Sequence, residues 1–319
     1  MFDFSKLNID RDNFVRYITE VCGMYHKVPF HCFQHAVAVT HMTYMLMTHT
    51  DAECILTLEQ QFALLLSAVV HNVDHPGNTN TFEINSSSDL AIRYNDQSVL
   101  ENHHCATAFR LIKKNGLFES MSESKAKEIR NFMIGCIMAT DVTRHNKYVQ
   151  LIRDKKYIGW NFDNQSDVSN YGELLLHAAD LSNPVRPFHI SDAWMKRIYA
   201  EFNKQALVER ARGMPVLDFM VTKTAAEENK KELGFMSFVV APMWIDFCHC
   251  FPRTRHLVDQ LKTNISLRRV RMKEDNGEAE EKGAKATRED TRDNTTFNGC
   301  GTRPRRKTCA DNRASSSSA

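Results

Sequence analysis

Two pairs of histidines are the residues of this chain best suited to catalysis or metal binding, and the members of each pair are one helical turn apart. His31 and His35 lie in FHCFQHA, and His71 and His75 lie in SAVVHNVDHPG. Residues four apart in a helix share a face, so each pair can bring its imidazoles together. Neutral imidazole is a common metal ligand, and protonated imidazole is a general acid near neutral pH. The two pairs therefore predict a metal site, an acid–base site or both.

Carboxylates accompany histidines at two further places. Glu101 opens the segment ENHH, and Asp180 ends a strongly apolar run in HAADLSNP. Each fragment alone has a structural explanation, because a buried histidine is usually a core residue and a carboxylate can cap a helix end. Four such fragments together are harder to explain by packing, since buried ionisable groups cost free energy unless they are paired or bind a metal. Imidazole with carboxylate suits Zn²⁺, and oxygen ligands suit Mg²⁺ or Mn²⁺.

The elements that position these residues are predicted to be helices. Apolar residues recur at helical spacing over residues 1–270, whereas alternating strand patterns with Asn-Gly or Asp-Gly turns are missing. We therefore predict one all-α domain for residues 1–270. The predicted helices span residues 12–24, 35–47, 58–70, 99–113, 123–139, 170–181, 191–208 and 234–248. Residues 58–70 are apolar on nearly every side, which predicts a helix at the centre of the core.

Residues 271–319 differ in character from the rest of the chain. They mix both charge signs, contain almost no apolar residues and end in a serine run. Such a segment cannot bury enough surface to offset chain entropy, so we predict that it is disordered. Its basic stretch RPRRK, residues 303–307, can be read as a small targeting signal, but a solvated charged tail is the preferred interpretation.

Composition narrows the classes of function. The chain has 319 residues, of which 42% are hydrophobic, so it can bury a substantial core. A net charge of +2 gives no reason to expect nucleic acid or an anionic membrane surface as a partner. Nine cysteines without a CxxC pair indicate reduced thiols. No signal peptide or apolar span of membrane length is visible, so a cytoplasmic protein without a membrane segment is predicted.

In their order along the chain, these fragments resemble the catalytic domain of the class I cyclic nucleotide phosphodiesterases. The resemblance is carried by HAVAV, HPGNTN, LAIRYNDQSVLENHH, MATDVTRH, LLLHAADLSNP, the Trp-to-EF-to-Gln spacing of residues 194–205, and LGFMSFVVAPMW. It implies an all-α fold of about sixteen helices, of the HD-type metal hydrolase kind, around a deep pocket. The implied activity is hydrolysis of cAMP, cGMP or both to 5′-nucleoside monophosphates, in cyclic-nucleotide signalling.

The resemblance also implies a role for individual residues. His31 falls on the general acid that protonates the leaving 3′-oxygen, and Glu101 falls on the carboxylate that orients and charges it. The implied cofactors are two divalent ions, Zn and Mg or Mn, with a metal-bound hydroxide as nucleophile. The positions of the metal ligands are His35, His71, Asn72 and Asp180, and those near metal-bound waters are His75, Thr140 and Asp141. The positions that read the purine edge and stack on the base are Glu232 and Phe235.

Two positions depart from the family's pattern. Asn72 stands where the family has the aspartate that bridges the two metals, and a carboxamide offers one carbonyl oxygen and an NH₂ group that cannot bind metal. We expect a weakened second, magnesium-type site, whereas His35, His71 and Asp180 retain the zinc site. Glu232 stands where the family has a glutamine, and an ionised carboxylate only accepts hydrogen bonds. The sequence therefore leaves the choice between cAMP and cGMP open.

Three functions are compatible with the sequence. The first is a metal-dependent cyclic nucleotide phosphodiesterase, whose activity Asn72 reduces. The second is a catalytically impaired or inactive relative that binds a nucleotide or a protein partner. The third is a hydrolase for a different phosphoester, since two-metal sites serve many phosphatases and nucleases. Regulatory domains of the kind seen in the family are not expected in this chain, and a homodimer is one oligomeric state that the sequence permits.

Overall fold

Helices account for all the regular structure in the described part of the chain. The computed structural model describes the backbone of residues 4–293 and the side chains of residues 4–274, and no strand occurs among them. The α-helices, labelled α1 to α14 in chain order, are Arg11–Met24, Phe33–His49, Ala52–Ile55, Leu58–Val70, Asn80–Asn85, Asp89–Tyr94, Val99–Lys114, Glu123–Met138, His145–Ile158, Gln165–Asp180, Phe188–Ala211, Ala225–Phe235, Ala241–Cys250 and Arg255–Asp293. Short 3₁₀ helices are Val142–Arg144, Asn183–Val185, Asp218–Met220 and Pro252–Thr254, and a π-helical turn, Met236–Val240, joins α12 to α13. The predicted all-α class is confirmed.

All eight segments predicted to be helical are helical, with ends that differ by a few residues. Their starts follow ordinary capping chemistry. Asp10 accepts a hydrogen bond from the backbone N–H of Asn13 at the start of α1, and Thr57 and Gln60 form a capping box at the start of α4. The helices that were not predicted are α3, α5, α6, α9, α12 and α14, since the predicted segment 234–248 covers only the last two residues of α12. The first three have six residues or fewer, which is too short for an apolar period to be visible.

Helix α4 lies at the centre of the core, as predicted from its apolar composition. It packs on α2, α8 and α10, and Phe62, Leu64 and Leu66 are among its buried residues. Helices α2 and α10 also pack on each other. Because α4 ends at Val70, the next residue, His71, lies next to both α2 and α10. This three-helix contact positions the candidate site.

Contacts divide the chain into two units, Met1–Lys273 and Glu274–Ala319. The first contains the core. The second is described only over residues 274–293, whose backbone is helical, and the disorder predicted for residues 271–319 stays a prediction. The many Glu, Lys, Ala and Arg residues of this segment have high helix propensity, and residues 274–303 contain no proline. Residues 294–319, including RPRRK, lie outside the described residues, and the domain division predicted at residue 270 stays a prediction.

One described segment, Ala225–Cys250, is long and apolar enough to cross a membrane by length and composition alone. It has 26 residues, and an 18-residue window within it has a mean hydropathy of 1.4. Core helices pass the same test, and here Met243, Trp244 and Phe247 are fully buried in the protein core. The segment is therefore weak evidence for a membrane span.

Candidate metal and acid–base site

His35, His71 and Asp180 meet where α2, α4 and α10 converge. His35 lies in the first turn of α2, His71 caps the end of α4, and Asp180 is the last residue of α10. Their ligand atoms all lie within 4.8 Å of one another. Asp180 Oδ1 is 3.0 Å from His35 Nε2 and 3.3 Å from His71 Nε2. Three residues that were grouped from the sequence therefore form one cluster.

The hydrogen bonding of His71 fits a cation in this cluster. His71 Nδ1 is 2.8 Å from the carbonyl oxygen of Ala68, so Nδ1 carries the proton and donates. In a neutral imidazole, Nε2 then has a lone pair, and this atom is buried without a hydrogen-bond partner among the described residues. A lone pair facing the Asp180 carboxylate is repulsive unless a positive charge lies between them. Two imidazoles and a carboxylate are a suitable ligand set for zinc.

The charge states of the cluster are also those that bind metal. Burial opposes ionisation of Asp180, but the neighbouring imidazoles of His71 and His35 outweigh it and hold the pKa of Asp180 well below its usual range. Burial lowers the pKa of His35 to about 4, although Asp180 acts in the opposite direction. The cluster thus offers an anionic carboxylate and a neutral His35 imidazole near neutral pH.

Asn72 contributes one further oxygen at the edge of this cluster. It is 8% exposed, and its Nδ2 donates to the carbonyl oxygen of His71 at 3.3 Å. Its Oδ1 is buried and has no hydrogen-bond partner among the described residues. The residue can therefore supply a single neutral ligand atom, whereas a bridge between two ions needs two oxygens. A role of Asn72 toward a second metal stays a prediction.

His31 and Glu201 form a second group with His75, next to the first. Their possible ligand atoms lie within 4.8 Å of one another, and the His31 and His35 ring centroids are 6.1 Å apart. His31 Nδ1 is 2.5 Å from Glu201 Oε1, and Glu201 Oε2 accepts from the backbone N–H groups of Phe30 and His31 at 2.7 and 3.2 Å. Burial opposes ionisation of Glu201, but these hydrogen bonds hold its pKa below the usual value. An ionised Glu201 therefore fixes the His31 ring and its backbone.

The carboxylate that orients His31 is Glu201, and the prediction that gave this role to Glu101 is wrong. Glu101 is buried and accepts from Asn80 Nδ2 at 2.9 Å, and burial raises its pKa to about 7. The sequence contained a signal for Glu201, which is the Glu of the EF pair and lies seven residues after Trp194. Seven residues are two helical turns, so both face the same way on α11, and Trp194 packs 5.5 Å from the His35 ring.

His75 lies against the His31 ring. The two ring centroids are 3.9 Å apart with planes 13° from parallel. His75 Nδ1 accepts from the backbone N–H of Gly77 at 3.0 Å, and burial holds the pKa of His75 well below its usual value. A neutral His75 therefore packs against one face of the His31 ring, and the hydrogen bond from Gly77 holds the His75 ring in place.

Thr140 and Asp141 lie just after α8, and their side chains are engaged locally. The Thr140 hydroxyl donates to the carbonyl oxygen of Ile137 at 2.8 Å. Asp141 is buried and accepts from Ser98 Oγ at 2.6 Å and from the Thr143 backbone N–H at 2.9 Å. The charge of Asp141 contributes to the raised pKa of Glu101, so these two carboxyl groups are neighbours. Their roles toward a second metal stay predictions.

Glu232 and Phe235 lie one turn apart at the end of α12. Phe235 is partly exposed, and the π-helical turn begins at the next residue. Glu232 is 6% exposed, and burial raises its pKa to about 7 against the attraction of Arg268. A π-helical turn inserted in an α-helix is frequent at functional sites. Contact of these two residues with a nucleotide base stays a prediction.

Comparison with known proteins places these residues in a family context. Residues 30–261 match the sequence profile described as 3′5′-cyclic nucleotide phosphodiesterase. The high affinity cGMP-specific 3′,5′-cyclic phosphodiesterase 9A of Drosophila melanogaster is 32% identical over 79% of this chain and 17% of its own length. The 3′,5′-cyclic-AMP phosphodiesterase 4C of Rattus norvegicus is 34% identical over 80% of this chain and 50% of its own length. The chain thus spans about half or less of the length of these curated relatives.

Solved structures agree with this match. The phosphodiesterase domain of Salpingoeca rosetta rhodopsin phosphodiesterase superposes with a TM-score of 0.84, at 34% identity, over 87% of this chain and 86% of that domain. The structure of LmjPDEB1 in complex with IBMX superposes with a TM-score of 0.80, at 27% identity, over 84% of this chain and 82% of that chain.

Proposed function

Because the chain belongs to the 3′5′-cyclic nucleotide phosphodiesterase family, we propose that it hydrolyses cAMP, cGMP or both to the 5′-nucleoside monophosphate. The observation that carries the proposal is the position of His31, held by Glu201, beside the buried group of His35, His71 and Asp180. A proton donor next to a cation site is what cleavage of a phosphoester bond requires. A role in cyclic-nucleotide signalling in the cytoplasm is part of the same proposal.

His35, His71 and Asp180 would hold a zinc ion, with Asn72 Oδ1 as an additional oxygen donor. A bound divalent ion polarises the phosphoryl oxygens and lowers the pKa of a coordinated water. Asp180 would be the charged ligand of this ion, because the carboxamide of Asn72 is neutral. A second ion, Mg or Mn, would have only the neutral Asn72 oxygen as its direct protein bridge, so we propose weak binding there and reduced turnover.

His31 would act as the general acid. Its Nδ1 is engaged by Glu201, which leaves Nε2 to carry a proton to the departing 3′-oxygen. The ionised Glu201 stabilises the positively charged imidazole electrostatically. His75 stacks on the ring and is itself neutral, so it confines His31 without competing for the counter-charge.

Hydrolysis of cAMP and cGMP by the purified chain, with identification of the product, tests the proposal. We expect the 5′-monophosphate as product and a loss of at least about 100-fold in His31→Ala. His41→Ala is the control, because His41 is an exposed histidine of α2, the helix that follows His31, and it should keep wild-type turnover. If the wild type hydrolyses neither cAMP nor cGMP, or if hydrolysis survives His31→Ala, the proposed activity is contradicted.

A second function, nucleotide binding without turnover, is favoured by one observation, the carboxamide at Asn72. This function predicts that the chain binds a cyclic nucleotide measurably and forms no product. Restoration of turnover by Asn72→Asp would identify the carboxamide as the cause of the missing turnover.

A further inference from the structure

The loop between α1 and α2 lies against the turn that follows α4. The loop carries His31, the turn carries His75, and the two ring centroids are 3.9 Å apart. A second contact joins the same two segments, because His26 Nε2 of the loop is 2.8 Å from Asp74 Oδ1 of the turn. The position of the His31 ring therefore depends on where this turn lies.

Helix α7 also binds the turn. His103 Nε2 of α7 is 2.8 Å from Asp74 Oδ2, and His104 Nδ1 is 2.7 Å from the carbonyl oxygen of Val73. The His104 and His75 ring centroids are 5.5 Å apart, with planes 20° from parallel. Both the side chain of Asp74 and the backbone before it thus tie the turn to α7.

Asp74 is the residue of the turn whose side chain binds both neighbouring elements. One carboxylate oxygen is paired with His26 of the loop, and the other is paired with His103 of α7. An ionised carboxylate only accepts hydrogen bonds, so each imidazole donates its Nε2 proton. Asp74 has φ +61°, a left-handed conformation that persists in a residue other than glycine only when the surrounding structure holds it. Its two hydrogen bonds hold it in this conformation.

The placement of the loop decides where the His31 imidazole lies. Glu201 holds the backbone N–H of His31, and Asp74 holds the loop nearer its start, at His26. Proton transfer needs a donor within hydrogen-bond reach of the departing oxygen, and a displacement of about 1 Å can lower a rate about 100-fold. Loss of the Asp74 contacts would therefore loosen the loop and displace His31.

We propose that Asp74 is a positioning residue, which fixes the loop through His26 and the turn through His103 and so keeps His31 next to the candidate metal site. The inference rests on the proposed function, because it requires His31 to be the acid. Asp74 acts on the proton donor through other residues, so its loss should lower kcat more than it changes KM.

Steady-state kinetics of Asp74→Gly and His26→Ala with cAMP and cGMP test this role. Glycine adopts φ +61° without strain, and the His26 side chain is 54% exposed, so neither change should unfold the domain. We expect each variant to lower kcat about 10- to 100-fold, with a smaller change in KM. The double variant should be no slower than Asp74→Gly, because His26 acts through Asp74.

A conservative variant and a neighbouring residue provide the controls. His26→Gln retains a side-chain N–H donor and should recover most of the kcat that His26→Ala loses. Lys27 is the exposed neighbour of His26 in the same loop, and Lys27→Ala should leave kcat unchanged. An equal loss in Lys27→Ala, an unchanged kcat in Asp74→Gly or His26→Ala, or a loss confined to KM would overturn the positioning role.

The Nδ1 proton of His31, which faces Glu201, gives a readout that needs no turnover. In NMR spectra of the chain with isotope-labelled histidine, the resonance that disappears in His31→Ala identifies this proton. It should be retained in Lys27→Ala and shifted in Asp74→Gly and His26→Ala. If the wild type hydrolyses neither nucleotide, the proposed function fails, and the shift still supports the placement of His31 by Asp74. A resonance that is unchanged in both variants would overturn the inference.

Discussion

Glu201 holds His31 at two points at once: its Oε1 is 2.5 Å from His31 Nδ1, and its Oε2 accepts from the His31 backbone N–H at 3.2 Å. One carboxylate from α11 thus fixes both the ring and the loop before α2, 170 residues earlier in the chain. Such a clamp both orients the imidazole and provides its counter-charge.

Glu201→Gln is therefore expected to lower kcat by about 100-fold or more, because the protonated His31 loses its counter-charge at an almost unchanged side-chain volume. Steady-state kinetics with cAMP and cGMP measure this loss. Glu209→Gln is the control, since Glu209 is a buried glutamate of the same helix that binds Gln205 instead. Equal losses in the two variants would indicate a general disturbance of α11 and contradict the clamp.

Removal of metal should destabilise the domain. A ligand that binds only the folded state raises its stability, so chelation lowers the melting temperature and added Zn²⁺ restores it. Asp180→Asn removes the only anion of the first cluster and should make the melting temperature insensitive to the chelator. His41→Ala should respond to the chelator as wild type does. A wild-type melting temperature that does not change with EDTA would contradict a stabilising metal at this cluster.

Gly77→Ala should destabilise the turn that carries His75. Gly77 has φ +86°, and a Cβ there would lie 2.9 Å from Val28 Cγ1, so both backbone and packing oppose a side chain. We expect a loss of about 1–3 kcal/mol in the free energy of unfolding, measured by urea denaturation. Gly159→Ala is the control, because its φ is +76° but no atom lies within 4 Å of the added carbon. A larger loss in the control than in Gly77→Ala would show that packing against Val28 is unimportant.

Most of the helical frame could be predicted from sequence because its helices are long and amphipathic. Helix α4, with its nearly continuous apolar surface, was placed correctly at the centre, and His35, His71 and Asp180 were correctly grouped through motif resemblance. Helices of four to six residues escaped prediction, since their starts depend on local caps such as Thr79 and Ser88 more than on an apolar period.

The partner of His31 could not be deduced from local spacing. Glu101 lies beside histidines in ENHH and Glu201 lies in the Trp-to-EF-to-Gln motif, and only tertiary packing decides which reaches His31 Nδ1. Arg268 was equally invisible, because a single arginine in a charged C-terminal helix reads as a solvated residue. Its complete burial arises from the meeting of α11, α12 and α14, which no local pattern specifies.

We propose that the chain binds one metal ion at His35, His71 and Asp180, that His31 is a working acid, and that the carboxamide of Asn72 limits turnover. The decisive measurement is bound metal per chain, together with hydrolysis of cAMP and cGMP, in wild type and in Asn72→Asp. We predict about one tightly held ion in wild type and a second in Asn72→Asp, with turnover at least about tenfold higher in the variant. Two tightly held ions in wild type, or an Asn72→Asp variant with unchanged metal content and unchanged turnover, would contradict this claim.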